Sequence, residues 1–200
     1  MPSIIYRSLL LYKLGLLLSY RSKYRKRYTT VAALVPDHVR VVDYCCGDAE
    51  IYTSHLKHRD VAYLGLDFNE QFIARLRDQR GVPCQVMNIC VDEPVPADFS
   101  LMMASLYQFI PAHKALIDKI LAYSKRFILV EPVRNNTESS CWFIRKLAYL
   151  LNDPGDGMKP HRFTPASFKA FLENYKDRLI TLIEGDVEIV AVLKGDLDRL

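Results

Sequence analysis

The stretch Val41-Val42-Asp43-Tyr44-Cys45-Cys46-Gly47-Asp48-Ala49-Glu50, followed by Ala62-Tyr63-Leu64-Gly65-Leu66-Asp67, decides the fold. In each half an apolar run meets a carboxylate, and between them lie a small-residue turn and a helical stretch. A nearly continuous apolar run reads as a strand buried on both faces of a parallel sheet. Strand, glycine-bearing turn, helix and acidic strand end together form a nucleotide-type unit, whose second acid commonly grips a ribose.

The turn places Gly47 at its centre and Ala49 two residues beyond, so the backbone can pass close to a ligand. The dinucleotide pattern G-x-G-x-x-G, laid over Cys45, Gly47 and Glu50, fails at its first and last positions. A pyrophosphate on this turn would also meet Asp43, Asp48 and Glu50. Like charges at roughly 4 Å repel by about 4 kcal/mol at an effective dielectric near ~20, so a cationic ligand is the better guest.

The run Val-Val-Asp-Tyr-Cys-Cys-Gly-Asp-Ala resembles motif I of the class I S-adenosylmethionine-dependent methyltransferases, in which an acid is followed by small residues at alternate positions. The resemblance covers nearly everything after Tyr28. It implies S-adenosylmethionine as cofactor, whose sulfonium and ammonium suit neighbouring carboxylates. The implied fold is a three-layer, doubly wound α/β domain. Its mostly parallel seven-stranded sheet has the order 3-2-1-4-5-7-6 and closes with a C-terminal antiparallel hairpin.

Carried onto this sequence, the resemblance places Asp43 near the cofactor's ammonium, and Cys45, Gly47 and Asp48 in the loop. Asp67, about 20 residues on, would accept from the ribose hydroxyls. Phe68 and Ile89 are candidate walls for the adenine. Asn88 stands where the family commonly has Asp, and its amide oxygen could accept from the adenine amino group; Asp92 is a substitute. Ser105 closes the fourth strand at the ligand edge. Each has a bland alternative: a strand-end cap for Asp43, a tight turn for Gly47, core packing for Phe68 and Ile89.

Candidates for binding the acceptor are Tyr107, Gln108, Glu131, Arg134 and His161, with Arg162 beside the last. As core, surface-pair or loop residues they have an equally ordinary reading. Methyl transfer asks mainly for orientation, worth roughly 7 to 11 kcal/mol, whereas a general base adds about two to four powers of ten. A catalytic base is therefore optional, and none is assigned. Cys45 and Cys46 are adjacent and lack a metal-knuckle spacing, and His55 and His58 stand apart from any second pair, so no metal site is expected.

Two hundred residues, half of them hydrophobic and a quarter charged, suit one globular domain. The five cysteines form no paired spacing, which points to reduced thiols in a cytoplasmic protein. The net charge of +4 conceals an asymmetry: seven Lys and Arg and no acid occur through Tyr28, so the rest of the chain, at 4 less 7, carries −3. Residues 1–28 therefore form a basic and apolar N-terminal extension, expected to be helical, and residues 29–200 the cofactor-binding domain. The leucine run in the extension is too short and too charged to span a bilayer. It reads either as a cap on the domain or a second subunit, or as a peripheral contact with the inner face of a membrane. Nucleic acid is a weaker partner, since no recognition motif accompanies the interleaved tyrosines.

Further along, Tyr28 to Pro36 reads as a helix, and Asn69 as the cap of a helix burying Phe72, Ile73 and Leu76. Cys84–Ile89, Phe99–Ser105 and Arg126–Pro132 read as strands three to five. Pro111 fits the first position of a helix. Residues 137–151 read as a helix and 152–162 as a lid-like loop. Thr164-Pro165 restarts a helix, and Gly185-Asp186 joins the final two strands. Three functions stay open: methyl transfer to a small-molecule or lipid-like acceptor, cofactor binding without catalysis, and nicotinamide-dependent reduction, which the acidic loop disfavours.

Overall fold

The computed structural model describes residues 24–134 and 162–197. The N-terminal run before Tyr24, the expected helix over 137–151 and most of the expected lid, including His161, lie outside them. Strands β1 (Val39–Tyr44), β2 (Val61–Asp67), β3 (Cys84–Val86), β4 (Ala97–Met103), β5 (Ser124–Pro132), β6 (Leu179–Glu184) and β7 (Glu188–Lys194) form one sheet. Its order is β3-β2-β1-β4-β5-β7-β6. The first five strands run parallel, and β7 is antiparallel to both β5 and β6. This is the expected architecture.

Alternation along the strands sends side chains to two apolar layers. On one face Leu129 and Phe127 of β5 join Leu116, Ile117 and Ile120 of α3 (His113–Ala122) and Phe168 of α4 (Pro165–Leu172). On the other, Ile128 and Val130 join Val31 and Val35, at and just beyond α1 (Tyr24–Leu34), and Ile73 and Leu76 of α2 (Glu70–Arg80).

Local chemistry sets the helix ends. The Asn69 side chain accepts from the N–H groups of Gln71 and Phe72, and Gly81 closes α2. Thr164 and Ser167 form a reciprocal capping box ahead of Pro165.

Several boundaries differ from the sequence reading: β4 ends at Met103, so Ser105 lies two residues past the strand it was expected to close, and β5 starts at Ser124 rather than Arg126. Helix α1 already includes Tyr24 to Arg27, ahead of the expected Tyr28, with Arg27 and Tyr28 of the basic run buried against the domain. The helical stretch after the turn is a short π turn, Tyr52–Leu56, closed by the Lys57 N–H to Tyr52 carbonyl bond. Strand β3 stops at Val86; Met87 N–H still bonds the Asp67 carbonyl, after which Asn88 starts a turn. Helix α3 begins at His113, because a 3-10 turn, Leu106–Phe109, first carries the chain off β4.

Candidate active site

The parallel strands deliver Asp43, Asp67, Ser105 and Glu131 to the carboxyl edge of the sheet, where ligands of such folds bind. Between β1 and the π turn the backbone takes positive φ at alternate residues, Cys45 (56°), Gly47 (55°) and Ala49 (51°). Only glycine adopts this region without penalty, so the two non-glycine residues are held there by their surroundings. Ala104, just past β4, is a third such residue with φ 56°. Three of the four non-glycine residues at positive φ among the described residues thus lie at these two adjacent strand ends; the fourth, His38 (62°), precedes β1 at the other end.

Three carboxylates surround this turn, Asp43, Asp48 and Asp67, all nearly inaccessible to solvent. Asp67 takes the Gly47 N–H on Oδ2 and the Asn69 N–H on Oδ1, both at 2.9 Å, which ties the turn to the end of β2. Asp43 lies deeper. Its Oδ2 accepts from the Tyr63 hydroxyl at 2.8 Å, and its buried Oδ1 has no hydrogen-bond partner. Tyr63 is stacked on Tyr52 of the π turn, with centroids 4.6 Å apart.

Burial pushes the Asp43 carboxyl up to about 7, with Asp67 and Asp48 adding like charge against the Tyr63 bond. Burial also raises Asp67, although backbone N–H groups oppose it. Desolvated acids crowded this way favour a cation among them. The same burial raises the thiols of Cys45 and Cys46, which rules against a reactive thiolate at either position.

Asn88, Ile89 and Phe68 lie toward β3. Phe68 is 71% exposed, Ile89 is buried in the core, and the Asn88 amide oxygen accepts from Cys90 N–H. Asp92 is occupied by the Asn88 N–H at 2.7 Å. The Ser105 hydroxyl donates to the Met103 carbonyl. This β3–β4 loop is pinned from both sides: the Tyr44 hydroxyl bonds the Val95 carbonyl and N–H, and Lys119 donates to the Asp92 carbonyl.

On the β4–β5 side, Tyr107, Gln108 and Glu131 are brought together. The Leu106 N–H donates to Glu131 Oε1 at 2.6 Å, and Gln108 donates to the Tyr107 hydroxyl. Burial pushes the Glu131 carboxyl up to about 8, opposed by the Leu106 N–H and by the charges of Arg162 and Arg27. Arg162 lies over the Tyr107 ring, 3.5 Å from its centroid. Arg134 turns away from this group and reaches the Asp186 carbonyl in the hairpin.

Sequence reasoning missed Tyr63, Arg27 and the Arg162–Tyr107 stack. Tyr63 sits in an apolar run and Arg27 in a basic one, so neither stands out by type. Their partners, Asp43 and Glu188, are 20 and 161 residues away. Among the described residues no group of three or more His, Cys, Asp or Glu could hold a metal ion, and no helix is long and apolar enough to cross a membrane. A separate concavity of about 540 Å³ lies at the opposite end of the strands. There His38 pairs with Asp60, and Asp98 accepts from the Arg40 backbone N–H and pairs with Lys125.

No family model and no curated protein matches the sequence. Solved structures do match the fold. The CurJ carbon methyltransferase superposes with a TM-score of 0.66 at 14% identity, over 96% of this chain and 59% of that one. An O-methyltransferase family 2 protein from Planctomyces limnophilus, in complex with apigenin, gives 0.58 at 15% identity, over 84% and 56%. The 16S rRNA methyltransferase RmtF, in complex with S-adenosyl-L-homocysteine, gives 0.54 at 18% identity, over 86% and 61%. The chain thus spans little more than half the length of these neighbours. Its fold is that of the class I S-adenosylmethionine-dependent methyltransferases.

Proposed function

We propose that this protein is an S-adenosylmethionine-dependent methyltransferase acting on a small-molecule or lipid-like acceptor. The observation that carries the reading is the set of buried acids, Asp43, Asp48 and Asp67, around a turn strained at Cys45 and Ala49. Such a setting repels a pyrophosphate and suits a ligand bearing an ammonium and a sulfonium. The orphaned Oδ1 of Asp43 fits the same need, since a buried acceptor without a partner is costly.

In this reading Asp67 holds the ribose with the lone pairs that Gly47 and Asn69 leave open. Gly47 lets the backbone close on the methionine part, Asp43 and Asp48 supply negative potential, and Phe68 and Ile89 flank the adenine, with Asn88 beside it. S-adenosylmethionine supplies a methyl group already activated by its sulfonium. The protein's own work is to align the acceptor and exclude water. Tyr107, Gln108 and Glu131 stand on the acceptor side. Arg134 and His161 remain candidates there, the second outside the described residues.

Calorimetry with S-adenosylhomocysteine, NAD and NADP tests this. The expected result is binding of S-adenosylhomocysteine alone, weakened by about 1.5 to 3 kcal/mol in Asp67→Ala through lost charge-assisted hydrogen bonds. Unchanged affinity in a folded Asp67→Ala protein would sink the placement, and preference for NAD would sink the function.

A further inference from the structure

We propose that Arg162, stacked on Tyr107 and backed by Glu131, binds an oxyanion of the methyl acceptor. The inference rests on the methyltransferase reading only for the word acceptor; the anion site stands on its own geometry. It names the acceptor's chemistry, a carboxylate or phosphate, on the same carboxyl edge of the sheet as the acidic turn but at the end of β5 rather than of β1.

A guanidinium lying flat on an aromatic ring keeps its N–H fork free at the edge, in the arrangement that matches a carboxylate or phosphate with two hydrogen bonds. The Arg162 guanidinium carbon lies 3.5 Å from the Tyr107 centroid. The ring is fixed in turn, buried in the core and hydrogen-bonded through its hydroxyl by Gln108. Arg162 is half-buried and Gln108, beside the ring, is exposed.

The Arg162 charge is not cancelled by its neighbour. Glu131 is fully buried, takes the Leu106 N–H on Oε1 and leaves Oε2 without a hydrogen-bond partner. Burial pushes this carboxyl up to about 8, so near neutrality it is a weak counter-ion for Arg162. The other cation facing Glu131, Arg27 of α1, is engaged by Glu188 of β7 at 2.6 Å. One donor group thus remains for a ligand, the Arg162 fork. An oxyanion satisfies it, whereas an amine would oppose the guanidinium.

The full chain is titrated calorimetrically with benzoate, phenyl phosphate and benzamide, with and without saturating S-adenosylhomocysteine. Benzoate or phenyl phosphate is expected to bind at pH 7 about tenfold more tightly than neutral benzamide, the preferred anion telling a carboxylate from a phosphate acceptor. Arg162→Gln, at a half-exposed position that tolerates polar change, should abolish that discrimination. Arg162→Lys should retain only part of it. Above pH 8 the wild type should weaken as Glu131 ionises and engages Arg162, while Glu131→Gln should keep its affinity. Equal binding of the three probes, or a preference that survives in Arg162→Gln, would overturn the anion site. Loss of S-adenosylhomocysteine binding with anion binding intact would overturn the cofactor reading alone.

Discussion

At the scale of single residues, Asp43 is the position where structure and ligand chemistry pull hardest against each other. Its carboxyl titrates near 7 in the folded chain against 3.8 ordinarily, chiefly because it is buried. The native state therefore holds this proton more firmly than the unfolded chain does. The stability tied to it is complete below about pH 4 and is lost as pH rises through about 7. Asp43→Asn keeps an acceptor for Tyr63 but removes the charge. It should stabilise the ligand-free protein at pH 8 by about 1 to 3 kcal/mol and change little at about pH 4, which thermal unfolding at the two pH values will read. The same substitution should weaken S-adenosylmethionine binding. In the wild type, affinity for this cation should rise between pH 6 and 8 as the proton leaves, and calorimetry in buffers of different ionisation enthalpy will detect its release. Gly47 supplies a second test. At φ 55° a branched side chain is both strained and in the way, so Gly47→Val should remove binding more completely than Cys45→Ala. Normal binding by the valine variant would refute the loop assignment.

At the scale of elements, β1 and β2 cooperate through Gly65, which pairs with Asp43 in the parallel register. A methyl group there would lie 3.0 Å from Cys46 Sγ and 3.1 Å from the Tyr63 hydroxyl, the group that holds Asp43. Gly65→Ala should cost about 1 to 3 kcal/mol by overpacking and loosen the turn as Tyr63 shifts. Urea unfolding and S-adenosylhomocysteine calorimetry should therefore both respond, and an unaffected ligand affinity would separate Tyr63 from the site. The strands were readable because each is an apolar run, and their carboxyl ends because Asp43, Asp67 and Glu131 interrupt those runs. Asn69, Gly81 and Thr164-Pro165 announced helix ends through backbone chemistry that acts over a few residues. What stayed illegible depends on distant partners. Arg27 looked like a solvated base until Glu188 was placed beside it, and Tyr63 like core until Asp43 was. The π turn was hidden because Tyr52–Leu56 carries no pattern distinguishing i→i+5 from i→i+4 bonding. Arg162 followed a loop that sequence alone could not dock.

At the scale of the whole molecule, charge is divided twice. Within the sheet's carboxyl edge, Asp43 and Asp67 crowd at the ends of β1 and β2 with no base among the groups shifting Asp43, whereas Glu131 at the end of β5 faces Arg162 and Arg27. Along the chain, seven bases without an acid precede Thr29, and the remainder is net negative. Helix α1 (Tyr24–Leu34) packs on the domain through Tyr28, Val31 and the following Val35. Removal of residues 1–19 takes away the leucine run with Arg7 and Lys13 while sparing α1. Each Lys or Arg near an anionic surface contributes about 1 kcal/mol, and buried leucines add to it. If the segment draws the protein to a membrane-borne acceptor, the shortened protein should keep S-adenosylhomocysteine affinity within about twofold, yet sediment less with phosphatidylserine vesicles than the full chain. Aggregation, or lost cofactor affinity where the full chain never bound vesicles, would instead make the segment a structural cap, and the basic run a device of folding rather than of recruitment.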